Sequence, residues 1–164
     1  MAGSGEVSVT RKDDSKGPRR RRGEREHYAL MRTITTRWMD NDVYGHVNNV
    51  VYYSFFDTAV NAALIEQGLL DPASSQVIGL VVETGCHYSA PISFPDEIEA
   101  GIRVAHVGTS SVCYEVGLFS RRDERAVAEG HFVHVYVDRQ TRRPTPLPQA
   151  LRCFLQSLVM EFPS

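Results

Sequence analysis

The 164-residue chain lacks several features that would decide its class at once. No apolar run approaches the roughly 18 residues needed to cross a bilayer, so no helical membrane span is expected. The N-terminus carries no apolar segment of the kind a secretory signal needs. Cysteine is scarce: Cys86, Cys113 and Cys153 are odd in number and widely spaced. They give neither a disulfide framework nor metal-ligand spacing, which fits a reducing, cytoplasmic setting. There is no Gly-x-Ser-x-Gly elbow and no phosphate-binding glycine loop. No internal repeat and no second domain is visible.

A net charge of −2 hides an asymmetry. Residues 1–27 carry eight Lys and Arg against five acids, about +3, which leaves about −5 on the remainder. An acidic body behind a basic tail does not suggest a nucleic-acid-binding domain. The tail is rich in Gly, Ser, Lys, Arg, Asp and Glu, with almost nothing to bury. It reads as a disordered extension preceding a single domain over 28–164. The run of four arginines at 19–22 reads as solvated surface.

Beyond the tail, hydrophobic periodicity predicts one strand, one long helix and four more strands. The first strand is expected within Tyr28–Trp38 and the helix over Asn49–Gln67. Later strands are expected over Val77–Ser89, Glu97–Val107, Ser111–Ser120 and Ala126–Asp138, in meander order. A short terminal helix is expected over Leu151–Met160. This order is that of an α+β fold. The central helix is apolar nearly all round, from Val50 to Ile65, so it should be enclosed by protein. Asn48 suits its N-cap and Gly68 its C-terminal stop.

The stretch before that helix concentrates the polar chemistry. It holds two carboxylates (Asp40, Asp42), one imidazole (His46) and two amides (Asn48, Asn49). Free N–H groups at a helix start can hold a developing negative charge. A nearby carboxylate can act as nucleophile or general base. Asp40-Asn41-Asp42 also opens like a calcium loop, but Tyr44 and Val51 occupy the fifth and twelfth positions, so calcium is excluded. His131 and His134 are three apart on a strand and fall on opposite faces, and no metal site is expected.

The pattern D-N-D-V-Y-G-H-V-N-N-x-x-Y, followed by an aromatic-rich helix, resembles the 4-hydroxybenzoyl-CoA thioesterase family of hot-dog proteins. The resemblance runs from about Met31 to Leu158. It implies an antiparallel sheet of about five strands wrapped around one long central helix. It also implies hydrolysis of an acyl-CoA thioester without a cofactor, CoA being part of the substrate. On the matching positions, Asp42 is the catalytic carboxylate and the Asn49 backbone amide polarises the thioester carbonyl. His46 has a supporting role. Arg139, Arg142 and Arg143 resemble the family's basic segment and are expected on the CoA phosphates. Ser110 and Ser111 are expected near the pantetheine arm, and Tyr53, with Phe55 and Phe56, along the acyl pocket.

Asp40 is expected to pair with Arg37, and Asp57 to be a buried hydrogen-bond partner within the helix. A single curved sheet leaves its edges bare, so a homodimer or a dimer of dimers is expected. An acyl carrier protein is an alternative thioester donor. Two other readings sit on the same fold: an enoyl-CoA hydratase or dehydratase, and a non-catalytic acyl-CoA-binding protein.

Overall fold

A computed structural model describes residues 21–160. Five strands and two helices follow in the order β1 (Leu30–Thr35), α1 (Val51–Glu66), β2 (Val77–Tyr88), β3 (Glu97–Val107), β4 (Ser111–Ser120), β5 (Ala128–Asp138) and α2 (Gln149–Ser157). The strands form one antiparallel sheet in the order β1-β3-β4-β5-β2. Only β3-β4-β5 is a meander. The expected neighbour relation of β2 and β3 does not hold, because β2 pairs with β5 at the far edge.

Alternation along the strands sends one set of side chains toward α1 and the other outward. Ile98, Ala100 and Ile102 on β3, and Val112, Tyr114, Val116 and Leu118 on β4, form the inner face. Phe55, Phe56, Ala59, Val60, Ala63 and Leu64 of α1 fill it. Burying each large apolar side chain contributes roughly 1.5–3 kcal/mol, so this contact dominates the fold. Gly130 on β5 is required by it, since a Cβ there would overlap the fully buried Phe56 ring.

The helix is less enclosed than its composition suggests. Ser54, Asp57, Thr58 and Ile65 are exposed and Asn61 is half-buried, at spacings that draw one stripe along the helix. Asp57 is therefore not a buried partner. Its Oδ1 accepts from Asn61 Nδ2 at 2.8 Å, one turn on along the exposed stripe. At the C-terminus, Gly68 takes φ 66°, Leu69 N donates to Leu64 O and Gly68 N to Ile65 O, both at 2.9 Å. This is the Schellman arrangement that the glycine predicts.

Part of the expected extension is ordered. Residues 1–20 lie outside the described residues, whereas Arg22 to Tyr28 run across the outer face of the sheet. Arg22 Nε donates to Ala126 O at 2.7 Å and Arg25 Nε to Glu99 Oε2 at 3.0 Å. Tyr28 lies over Gly101 and Gly117, where a Cβ would overlap its ring, and meets Phe119 edge-on at 5.5 Å. Composition suggested nothing to bury here, yet arginines reaching backbone carbonyls and one tyrosine are enough to fasten the strap.

His134 sits on the inner face among the rings of Tyr114, Phe132 and Tyr136, 2% exposed. None of the described residues bonds its Nε2. Burial lowers its pKa from 6.5 to about 4. The folded state thus resists a proton that the unfolded chain accepts, so stability is full above pH 6.5 and falls as pH drops through that window. Urea titrations should show a loss of about 3 kcal/mol between pH 6.5 and 4. In His134→Leu that pH-dependent loss should vanish; an unchanged pH slope would contradict the assignment.

Candidate active site

The segment between β1 and α1 is a closed loop built by hydrogen bonds. Asp40 is 1% exposed, and its carboxylate accepts from Arg37 N at 2.7 Å and from the Arg37 guanidinium at 2.8 and 3.1 Å. The pairing of Asp40 with Arg37 is thus present. The Asp40 carbonyl accepts from Asn48 N at 2.8 Å, which draws the loop's end back to its beginning. Between them, Asn41 and Val47 form an antiparallel bridge, and Asp42 N donates to His46 O at 2.8 Å. Gly45, at φ 80°, makes the turn. The hairpin docks on the segment before β3: Val47 N donates to Ile92 O at 2.8 Å and Phe94 N to Asn41 Oδ1 at 2.9 Å.

Helix α1 starts where this loop ends. Asn48 Oδ1 accepts from Val50 N at 3.2 Å, and Asn48 O accepts from Val51 N at 2.9 Å. The N-cap position of α1 is nonetheless Val50, which has no side-chain cap, so the expected Asn48 cap is not formed and Asn48 instead makes an Asx turn just before the helix. The carbonyl of Asn48 and the N–H of Asn49 belong to one planar trans peptide, so they point opposite ways. With the carbonyl turned into the helix, the Asn49 N–H points out of its mouth. None of the described residues accepts from it.

Asn49 also lines a cleft of about 330 Å³, together with His46, Val47, Tyr52, Tyr88 and the segment Ser89–Pro91. Tyr88 Oη donates to Asn49 O at 2.8 Å, and its ring meets Tyr52 edge-on at 4.9 Å. Burial pushes the Tyr88 phenol above its usual pKa, with Cys86 adding to the effect. Burial likewise pushes the Cys86 thiol to about 11 and raises Tyr52. These groups are neutral donors near neutral pH, and none is a nucleophile there.

The expected site residues divide. His46 and Asn49 share the cleft. Asp42 closes the hairpin opposite His46 but does not line the cleft. Its Oδ1 accepts from Tyr44 N at 2.8 Å in an Asx turn. Tyr53 is half-buried and packs edge-on to Phe56 at 6.0 Å, outside the cleft lining.

The basic segment and the turn serines lie elsewhere. Tyr88 pairs with Ala128 and Val77 with Asp138, so the cleft and Arg139 sit at opposite ends of β5. At about 3.4 Å per residue, that is on the order of 30 Å. Arg139 is also engaged, with Nε donating to Ser75 O at 2.5 Å and Nη2 to Pro72 O at 3.0 Å. Arg142 and Arg143 are exposed on the turn that Asp138 organises. Ser110 O accepts from Tyr136 N and Ser111 O from Gly108 N, at that same far end. One chain does not bring these residues to the cleft.

Residues 36–155 match the family model of the thioesterase-like superfamily. The chain belongs to this superfamily. Its sheet wrapped on α1 is the superfamily's hot-dog fold. Among solved structures it is similar to the PA5185 protein of Pseudomonas aeruginosa, at 55% identity and TM-score 0.83, over 85% of this chain and 97% of that one. It is also similar to the PA2801 protein of the same species, described as a candidate thioesterase. That match has 29% identity and TM-score 0.73, over 78% and 98% of the two chains. A 1,4-dihydroxy-2-naphthoyl-CoA thioesterase of Synechocystis shares the fold, at 16% identity and TM-score 0.71, over 78% and 96%. None of the curated proteins compared with the chain matches it. The superfamily, the PA2801 protein and the Synechocystis protein carry thioesterase names, which supports thioester hydrolysis in general terms.

Tyr88 is the site residue that sequence reasoning missed in this role. Nothing local marks it, because its meaning depends on β2 ending beside the start of α1. The loop's dependence on Asp40 is directly testable. Asp40→Ala leaves the Arg37 N–H and its guanidinium without their acceptor. It should cost about 2 kcal/mol, read as a lower urea midpoint with an unchanged m-value.

Proposed function

We propose that the protein is an acyl-CoA thioesterase of the 4-hydroxybenzoyl-CoA thioesterase type, needing no cofactor. The observation that carries this reading is the Asn49 N–H before α1, which none of the described residues accepts from, on a residue that lines one cleft with His46. An oxyanion donor must be fixed before the reaction, and each such donor contributes roughly 3–4 kcal/mol to the transition state. The thioester oxygen takes this N–H. Asp42 then either attacks the carbonyl carbon or takes a proton from the attacking water. Its Oδ1 is held by Tyr44 N, while Oδ2 accepts from none of the described residues. In both routes the carbon–sulfur bond breaks, CoA leaves as thiolate, and water supplies the oxygen and proton of the free acid. His46 supports the loop side of the cleft.

The reading includes a homodimer. β2 is a 12-residue edge strand whose Val81 and Val82 are 47% and 59% exposed. An uncovered edge of that length invites pairing. Antiparallel pairing of two copies about Val82 would reverse the strand. It would carry Arg139, Arg142 and Arg143 of the partner subunit, with its Ser110 and Ser111, to the cleft end. The basic segment would then meet the CoA phosphates, with Arg142 and Arg143 as the free forks. Pairing of dimers and use of an acyl carrier protein donor are compatible with the same site, and the setting is taken as the cytoplasm.

Free-thiol release from benzoyl-, butyryl- and palmitoyl-CoA tests the activity. Asp42→Asn should lower kcat by about 10²–10⁴-fold with little change in substrate binding. Wild-type turnover in that variant would reject the role of Asp42. Binding without thiol release in the wild-type protein would favour the non-catalytic alternative, and hydration of crotonyl-CoA would favour the hydratase. Subunit mixing tests the shared site. Co-folding Asp42→Asn chains with chains carrying Arg142→Ala and Arg143→Ala should restore activity that neither variant has alone. Mixtures no more active than the sum of the two would reject the crossed arrangement.

A further inference from the structure

We infer that Tyr88 is a positioning residue for the helix-mouth amide, acting through its hydroxyl on the Asn49 peptide. The inference rests on the thioesterase reading for its effect on rate, but not for its effect on geometry. Tyr88 is the last residue of β2 and pairs with Ala128, which faces the core. Its side chain therefore lies on the helix side of the sheet. From there the ring stands edge-on to Tyr52, one turn into α1, and the hydroxyl donates to Asn49 O at 2.8 Å.

The contact falls at a point the helix itself holds weakly. Asn49 is flanked by two peptide planes. The plane before it is held by Asn48 O accepting from Val51 N, while Asn48 N, one plane earlier, donates to Asp40 O. The plane after it carries the Asn49 carbonyl and the Val50 N–H, which reaches only the side-chain amide of Asn48, at 3.2 Å. First-turn peptides fray because they lack intrahelical partners on one side. A phenol on the Asn49 carbonyl fixes the second plane to the sheet. With both planes held, the direction of the Asn49 N–H is set by the sheet and the loop together. A donor that must meet a developing oxyanion gains from that rigidity, because misplacement by a fraction of an ångström lowers the rate.

Tyr88 is well suited to this duty. Its phenol stays protonated and remains a donor at working pH, since burial disfavours the phenolate. With its proton on Asn49 O, it cannot also protonate a leaving thiolate without releasing that carbonyl. That separates positioning from general-acid work.

Tyr88→Phe keeps the ring against Tyr52 and deletes the hydroxyl. In the full-length protein, kcat for thiol release should fall by about ten-fold with KM little changed. Amide exchange followed by NMR should quicken at Val50 and Val51 by about five-fold. Tyr136→Phe is the control, since it removes a different tyrosine hydroxyl bond, the buried one between Tyr136 Oη and Tyr114 Oη at 2.9 Å, away from the cleft lining. It should lower the melting temperature and leave kcat unchanged. Wild-type exchange at Val50 and Val51 in Tyr88→Phe overturns the inference. So does a wild-type kcat from an active parent, or an equal kcat loss in the Tyr136 control. If wild-type protein releases no thiol from any of the three thioesters, the thioesterase reading fails on its own. The exchange rates then still decide whether Tyr88 holds the helix mouth.

Discussion

One buried carboxylate governs the geometry of the cleft. Asp40 gathers the Arg37 backbone and guanidinium on its side chain and returns the Asn48 N–H on its carbonyl. A charged group that is 1% exposed persists only when its lone pairs are satisfied, and here they are. The consequence runs outward. Closing residues 40–48 fixes the hairpin that carries Asp42 and His46, and it fixes the chain's entry into α1. The first peptide of the helix then has one direction available to it. Two aspartates two residues apart thus do different work. The buried one holds the frame, and the half-exposed one is left with an oxygen that is not engaged.

The frame shows which parts of the molecule a linear pattern can specify. Elements came out near their expected bounds because their signals are local: alternation in β3 to β5 and Gly68 after α1. The same holds for the pairing of Asp40 with Arg37, three residues apart. The misplaced features are those decided at a distance. Which edge β2 joins depends on ladder partners some fifty residues away, so a meander was expected where the chain crosses the sheet. Asp57 looked costly among aromatics because the exposed stripe of α1 is narrow, and counting apolar residues hides it. The strap of Arg22 to Tyr28 was invisible because its hold rests on carbonyls and two glycines far along the chain.

The site divides in the same way. Asn49 and His46 line one cleft because they are three residues apart in the loop that leads into α1. The arginines after β5 lie at the opposite end of that strand from the cleft. That separation follows from β2 pairing antiparallel with β5, a long-range choice that no motif in the loop or in the basic segment records.

The strap across the outer face bears on how the molecule is made. Arg22 and Tyr28 leave the ribosome early, but their seats at Gly101, Gly117 and Ala126 are about a hundred residues downstream. The leading segment must wait, unfastened, until β3 and β4 have paired. Fastening it is a long-range closure, slow by nature and available only to a finished sheet. A chain that stops short of β4 lacks the Gly117 seat and the Phe119 edge, so the tyrosine ring finds its full bed only on the finished sheet.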